Sequence, residues 1–193
     1  HAGDISLKAG TELLLERAAL ASRSALSEGS GRAGTISLQA GTRLSLSQET
    51  TVSTNTLSGG QAGQISLAAA DISLDRADLV SQAGFGSRGA AGSIELQATQ
   101  SLRANNAVLG TTSFGAGPAG AVRLSASEIS FEGPRSGVAA AAAAGSGGQT
   151  GNIELVAGRS LRMSDGATLS IRNDASVGDP ALLLPTTLRV SAP

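Results

Sequence analysis

Cysteine, tryptophan and tyrosine are all missing from these 193 residues, and three phenylalanines are the whole aromatic complement. Without cysteine, neither a disulfide framework nor a thiolate zinc site is expected. Large rings usually supply much of the buried area of a compact core, so a core here must be built from smaller side chains. Charge is sparse as well. Only 15% of residues are charged and the formal net charge is −1, which offers no clustered basic surface to nucleic acid. No apolar run approaches the ~18–20 residues of a membrane span, so neither a nucleic-acid partner nor a membrane span is expected. His1 is the only histidine, and no Ser/His/Asp triad can be assembled around it. The opening HAGDISL lacks the basic start and apolar stretch of a secretory signal. The chain is therefore expected to be a processed form, or a piece of something longer.

What is present is glycine, 26 residues of it, and a hydrophobic content of 40% carried by Ala, Leu, Ile and Val. That content argues against disorder, which goes with low hydrophobicity and high net charge. One phrase, G-x-[IV]-x-L-x-A, recurs six times: GDISLKA from Gly3, GTISLQA from Gly34, GQISLAA from Gly63, GSIELQA from Gly92, GAVRLSA from Gly120 and GNIELVA from Gly151. The spacings are 31, 29, 29, 28 and 31 residues, and a glycine-less copy, TTLRVSA, begins at Thr186. Self-similarity at such a period is the signature of a repeat architecture.

Within each phrase apolar and polar residues alternate, as in a strand with one buried face. A second apolar pair follows three or four residues later, as at Leu13/Leu15 and Leu44/Leu46. A weaker third run follows at Leu20, Val52, Leu79, Val108, Val138 and Leu169, and then a Gly/Ser-rich turn. The expected fold is all-β: a right-handed parallel β-helix, a three-sided β-solenoid of about six to seven coils of 28–31 residues. Coils start near residues 3, 34, 63, 92, 120 and 151, in one domain over 1–193. Over 178–193 a partial last coil is expected, its apolar run between Pro180 and Pro185 reading as a cap, as a docking patch for a neighbouring subunit or as a long loop to the next coil. One coil cannot bury its inward face alone, so coils must stack. The hand follows from the rule for crossovers between parallel strands. At ~4.8 Å per coil the rod is about 29 Å long. The core stack is Ile5, Ile36, Ile65, Ile94, Val122, Ile153 and Leu188. Ala139–Ala144 has the propensity of a helix, but it is too short to nucleate one and lies where other coils have their third strand, so strand is expected.

The outward residue between the Ile and Leu of each phrase is Ser6, Ser37, Ser66, Glu95, Arg123, Glu154 and Arg189 in turn. In register this is a hydroxyl ladder followed by charges of alternating sign, which pair favourably on neighbouring strands. A binding stripe would keep one sign, so a structural ladder is expected. Asp71, Asp75 and Asp78 form the densest carboxylate group, but no calcium-loop spacing accompanies them, and they read as solvated edge charges. Gly59-Gly60 and Gly147-Gly148 precede no helix or Lys, so they are not phosphate loops and read as left-handed turns. Neither catalytic nor metal residues nor a cofactor are expected. Leu182, Leu183 and Leu184, between Pro180 and Pro185, offer an end contact.

The phrases GTISLQAG and GNIELVAGRSLRMSDGATLSI and the linking xGxAG turns resemble the repeats of filamentous-haemagglutinin-type exoproteins of two-partner secretion systems. Related repeats occur in large cyanobacterial and proteobacterial surface proteins. The resemblance runs from Gly3 to Ala192. It implies a right-handed β-helix exported to the cell surface, serving as adhesin, toxin carrier or fibre. The NPNG- and NPNL-type motifs of that family's secretion domain are absent from this sequence, so the likeness is to the shaft. The expected function is a structural or adhesive shaft segment, extracellular or on the bacterial cell surface. Its partners would be its own ends, further solenoid, or a host-cell or environmental surface. A glycan- or surface-binding module is the alternative. A polysaccharide-cleaving β-helix enzyme fits least, because such enzymes need clustered carboxylates in a long groove.

Overall fold

The computed structural model of the chain describes residues 2–24, 31–57, 59–176 and 185–192. Among these residues there is no helix, and fifteen strands follow one another coil by coil. The first coil holds β1 (Ile5–Ala9), β2 (Glu12–Glu16) and β3 (Ala19–Ser24), and the second β4 (Ile36–Ala40), β5 (Arg43–Ser47) and β6 (Thr51–Thr56). The next two hold β7 (Ile65–Asp75) with β8 (Asp78–Ala83), and β9 (Ile94–Asn105) with β10 (Val108–Ser113). Then come β11 (Val122–Glu132) with β12 (Gly137–Ala142), β13 (Ile153–Ser164) with β14 (Thr168–Asn173), and finally β15 (Leu188–Ser191). The six-alanine run thus begins as strand, in β12.

Every strand pairs in parallel with the equivalent strand one coil away, which makes the chain a β-solenoid. One sheet runs β1-β4-β7-β9-β11-β13-β15 with β2 and β5 alongside, and the other β3-β6-β8-β10-β12-β14. Three separate strands per coil occur only in the first two coils. From β7 onward the first and second strands run together, and the ladder shifts register at Ala69/Asp71 and again around Ser125 to Glu128. A bulge of one or two residues bends a strand without ending its hydrogen bonding, so that corner needs no turn sequence.

The core is a set of columns along the axis. Ile36, Ile65, Ile94, Val122 and Ile153 stack with no exposed surface, and Leu38, Leu67, Leu96, Leu124 and Leu155 form the next column. The third-strand column differs by one residue from the sequence expectation. Leu109, not Val108, stands in register with Leu79 and Val138, and Leu109 is fully buried. Two adjacent apolar residues in that coil left alternation without a unique phase.

The phrase glycines are a packing requirement. A Cβ on Gly63 would lie 1.9 Å from the carbonyl oxygen of Gly34 in the coil before, and the same clash recurs at Gly92, Gly120 and Gly151. Backbones simply pass too close there for any side chain. Gly147 and Gly148 likewise lie outside the left-handed region, and a Cβ on Gly148 would meet the carbonyl of Gly117. Close stacking of successive turns, not left-handed geometry, accounts for Gly148.

Candidate functional site

The seven outward residues Ser6, Ser37, Ser66, Glu95, Arg123, Glu154 and Arg189 stand in one column, partner to partner along the first sheet. Glu154 takes Arg123 on one side at 3.7 Å and Arg189 on the other at 3.9 Å. Glu95 instead accepts from Gln64 at 2.9 Å and Gln97 at 2.7 Å. All these groups are substantially exposed, where an ion pair contributes little, roughly 0–1 kcal/mol. Glu154 alone is paired with charges along the axis, Glu95 being held by amides, and the column carries no single-sign stripe.

The three aspartates are also answered locally. Asp71, beside the bulge, accepts from the Ser101 hydroxyl at 2.5 Å. Asp75, ending β7, accepts from the Asn105 amide at 3.0 Å and pairs with Arg76 at 3.7 Å. Asp78, opening β8, faces Arg135 at 3.6 Å. Asp78 Oδ1 is buried without a hydrogen-bond partner, and among the described residues no group of His, Cys, Asp or Glu has the geometry of a metal site.

A groove of about 530 Å³ follows the corner where each coil begins, over the stacked phrase glycines and between polar side chains that include Asp4, Arg32, Thr35, Gln61, Gln64 and Ser93. Several of these satisfy one another: Arg32 donates to Gln61 at 2.6 Å, and Asp4 accepts from the Thr35 backbone at 2.6 Å. It is a furrow of the rod with occupied polar groups.

Two features escaped the sequence reading. Phe85 and Phe114 meet at 4.9 Å between ring centroids, their planes tilted by 41°, in the turns after β8 and β10, and Phe85 is 77% exposed. Their signal was a Phe-Gly pair in two successive turns. The second feature is inward. Ser22, Thr54, Ser81 and Thr111 are buried in one column of the second sheet. Their hydroxyls bond the phrase glycines: Ser22 accepts from Gly34 N–H at 2.8 Å, Thr54 donates to Gly63 at 2.6 Å, Ser81 accepts from Gly92 N–H at 2.7 Å, and Thr111 donates to Gly120 at 2.6 Å. In the same coil Thr50 and Thr56 are buried too, donating to the Ser47 carbonyl at 2.6 Å and to the Gly60 carbonyl at 2.8 Å, whereas Thr51 is only half-buried.

At both ends the core columns are half-covered. Ile5, Leu7, Leu13, Leu15 and Leu20 lie partly exposed on the first coil, as do Leu161, Met163, Leu169 and Ile171 on the sixth. Above the sixth coil β15 covers only Ile153–Val156, with Leu188 49% and Val190 46% exposed. Leu188 tops the core stack. Leu182, Leu183 and Leu184 lie outside the described residues, as does much of the expected cap. Comparison with known protein families, with curated proteins and with solved structures finds no match to this chain.

Proposed function

We propose that the chain is a structural shaft segment of a secreted bacterial surface protein, working outside the cell as a rod that carries adhesive or other ends apart. What carries the reading is the unbroken register of first strands from β1 to β15, each core side chain seated on its equivalent one coil away. A rod of this kind gains length by repetition, and its ends offer apolar columns to further coils. The outward polar groups support the same reading, because they are spent on one another along the axis. The resemblance of the phrases to filamentous-haemagglutinin-type repeats points the same way. In this reading the chain has no catalytic role and holds no cofactor.

Electron micrographs of the native material test it. Rods of single-solenoid width are expected, either as one long chain or as copies joined at their ends. Separate compact particles that bind a glycan, with the binding lost in Phe85→Ala, would replace the shaft by a surface-binding module built around the exposed phenylalanine pair.

A further inference from the structure

The two sheets present different outer faces. The first carries charge in every coil, from Lys8 and Glu12 in the first to Glu154 and Arg162 in the sixth. On the second, alternate residues of β3, β6, β8, β10, β12 and β14 turn outward in three columns. The only charges in those columns are Arg23, Asp78 and Arg172. The middle column is Ala21, Ser53, Val80, Gly110, Ala139 and Ser170, in register from coil to coil. Nothing in it is larger than valine. Apart from Gly110 and Gly137, the outward residues of this sheet are half-buried or exposed, so the face lies open. Leu57 and Phe85, 44% and 77% exposed, follow β6 and β8 and give it an apolar margin.

We propose that this face binds a second copy of the chain, the two rods lying side by side and pointing the same way. A twofold contact must be self-complementary. With the twofold axis along the rod, each coil faces its own equivalent: the middle column meets itself, and the first column meets the third. The small middle column lets the sheets approach to the usual ~10 Å. Asp78 then faces the Gln82 amide of the other copy, Arg23 faces Ala19, and Arg172 faces Thr168. No like charges meet. Rods pointing opposite ways would set Arg23 against Arg172, a costly juxtaposition, and Asp78 against Val108, which leaves a carboxylate on an apolar side chain. Charge therefore selects the parallel pair. Six strands of six residues make a face of about 20 by 29 Å, or ~1,100 Å² over two copies. That lies just under the ~1,200–2,000 Å² of stable complexes. The pairing is weak and reversible, and at the dilution of a microscope grid it gives way to single rods. It adds a side-to-side contact and does not depend on the shaft reading.

Ala139 tests the pair, because the axis sets it against itself. Sedimentation velocity over a concentration series is run on the parent chain, on Ala139→Asp, on Ala139→Lys and on an equimolar mixture of the two variants. Urea unfolding of each variant checks that it folds as the parent does. The parent is expected to pair with a Kd of roughly 10–100 μM. Each variant alone should pair about tenfold or more weakly, since it sets like charges face to face, and the mixture should recover the parent's pairing or exceed it. A parent that stays single at about 1 mM, or variants that pair as well as the parent, overturn the proposal. Variants that stay single even when mixed overturn the parallel twofold, because rods pointing opposite ways would set Ala139 against Ser53. Should either variant fail to fold, Val80→Asp and Val80→Lys repeat the test two coils lower. The shaft reading is judged separately by the native micrographs, so either can fail without the other.

Discussion

The residue whose identity is most tightly set is glycine, and the reason differs between corners. At the start of each coil the constraint is distance: a Cβ on Gly63 would stand 1.9 Å from Gly34 oxygen, whereas one on Gly3 meets nothing within 4 Å. Gly63→Ala is therefore expected to destabilise the fold by about 1–3 kcal/mol or more, as forced overpacking does, and Gly3→Ala to stay within about 0.5 kcal/mol. Urea unfolding of the two variants checks this, and equal effects would remove the close-approach account. At the corner between second and third strands the constraint is dihedral instead. Arg17, Gln48, Arg76, Asn106, Gly133 and Asp165 follow one another up the rod, and all have positive φ. Only Asn, Asp and Gly among these are at ease there, so the column is written in mixed residue types. That is why its left-handed geometry could not be read from the sequence, while the recurring phrase glycines could be located but were not assigned their cause.

At the scale of the strand, alternation set which face of each element turns inward. It succeeded wherever the outward residue was polar, as in ISLQA and IELQA. It slipped where Val108 and Leu109 stood side by side, and it missed that β7, β9, β11 and β13 run through a bulge. It also passed over the inner hydroxyls, because Ser and Thr in a strand read as outward polar positions. Their burial answers a particular need: the tight glycine corner leaves backbone groups without ladder partners, and buried backbone groups must be paired. Ser81 is the instructive case. It accepts from Gly92 N–H at 2.7 Å and lies 3.0 Å from the Thr54 hydroxyl, with no exposed surface. Ser81→Ala strands a buried donor and is expected to cost about 1–3 kcal/mol. Amide exchange at Gly92 should quicken beyond what the global loss explains. A fully stable Ser81→Ala protein with unchanged Gly92 exchange would mean that the corner finds its partners elsewhere.

The whole rod behaves as a stack in which each coil depends on its neighbours, so the same substitution should cost different amounts at different heights. Leu67 is fully buried in the third coil, between Leu38 below and Leu96 above. Leu7 occupies the equivalent column position in the first coil, has Leu38 on one side only and is partly exposed. Removing the central side chain opens a cavity bounded on both sides, so Leu67→Ala is expected to cost about 2–5 kcal/mol. Leu7→Ala should cost roughly half that or less, since it loses one stacking neighbour and its cavity opens toward solvent. Stability in a solenoid is close to a sum of coil terms and coil–coil terms, so the profile of amide exchange should mirror the cost. The amides of Ile65, Leu67, Ile94 and Leu96 should exchange most slowly, and those of β1 and β14 should fray first. Denaturant unfolding of the two variants, with hydrogen exchange on the parent chain, measures both quantities. Equal costs at the two heights, or uniform exchange from end to end, would mean that the rod melts as one block. A rod of that kind would lack independent coil terms, and the account of its stability as a sum over coils and their contacts would fall.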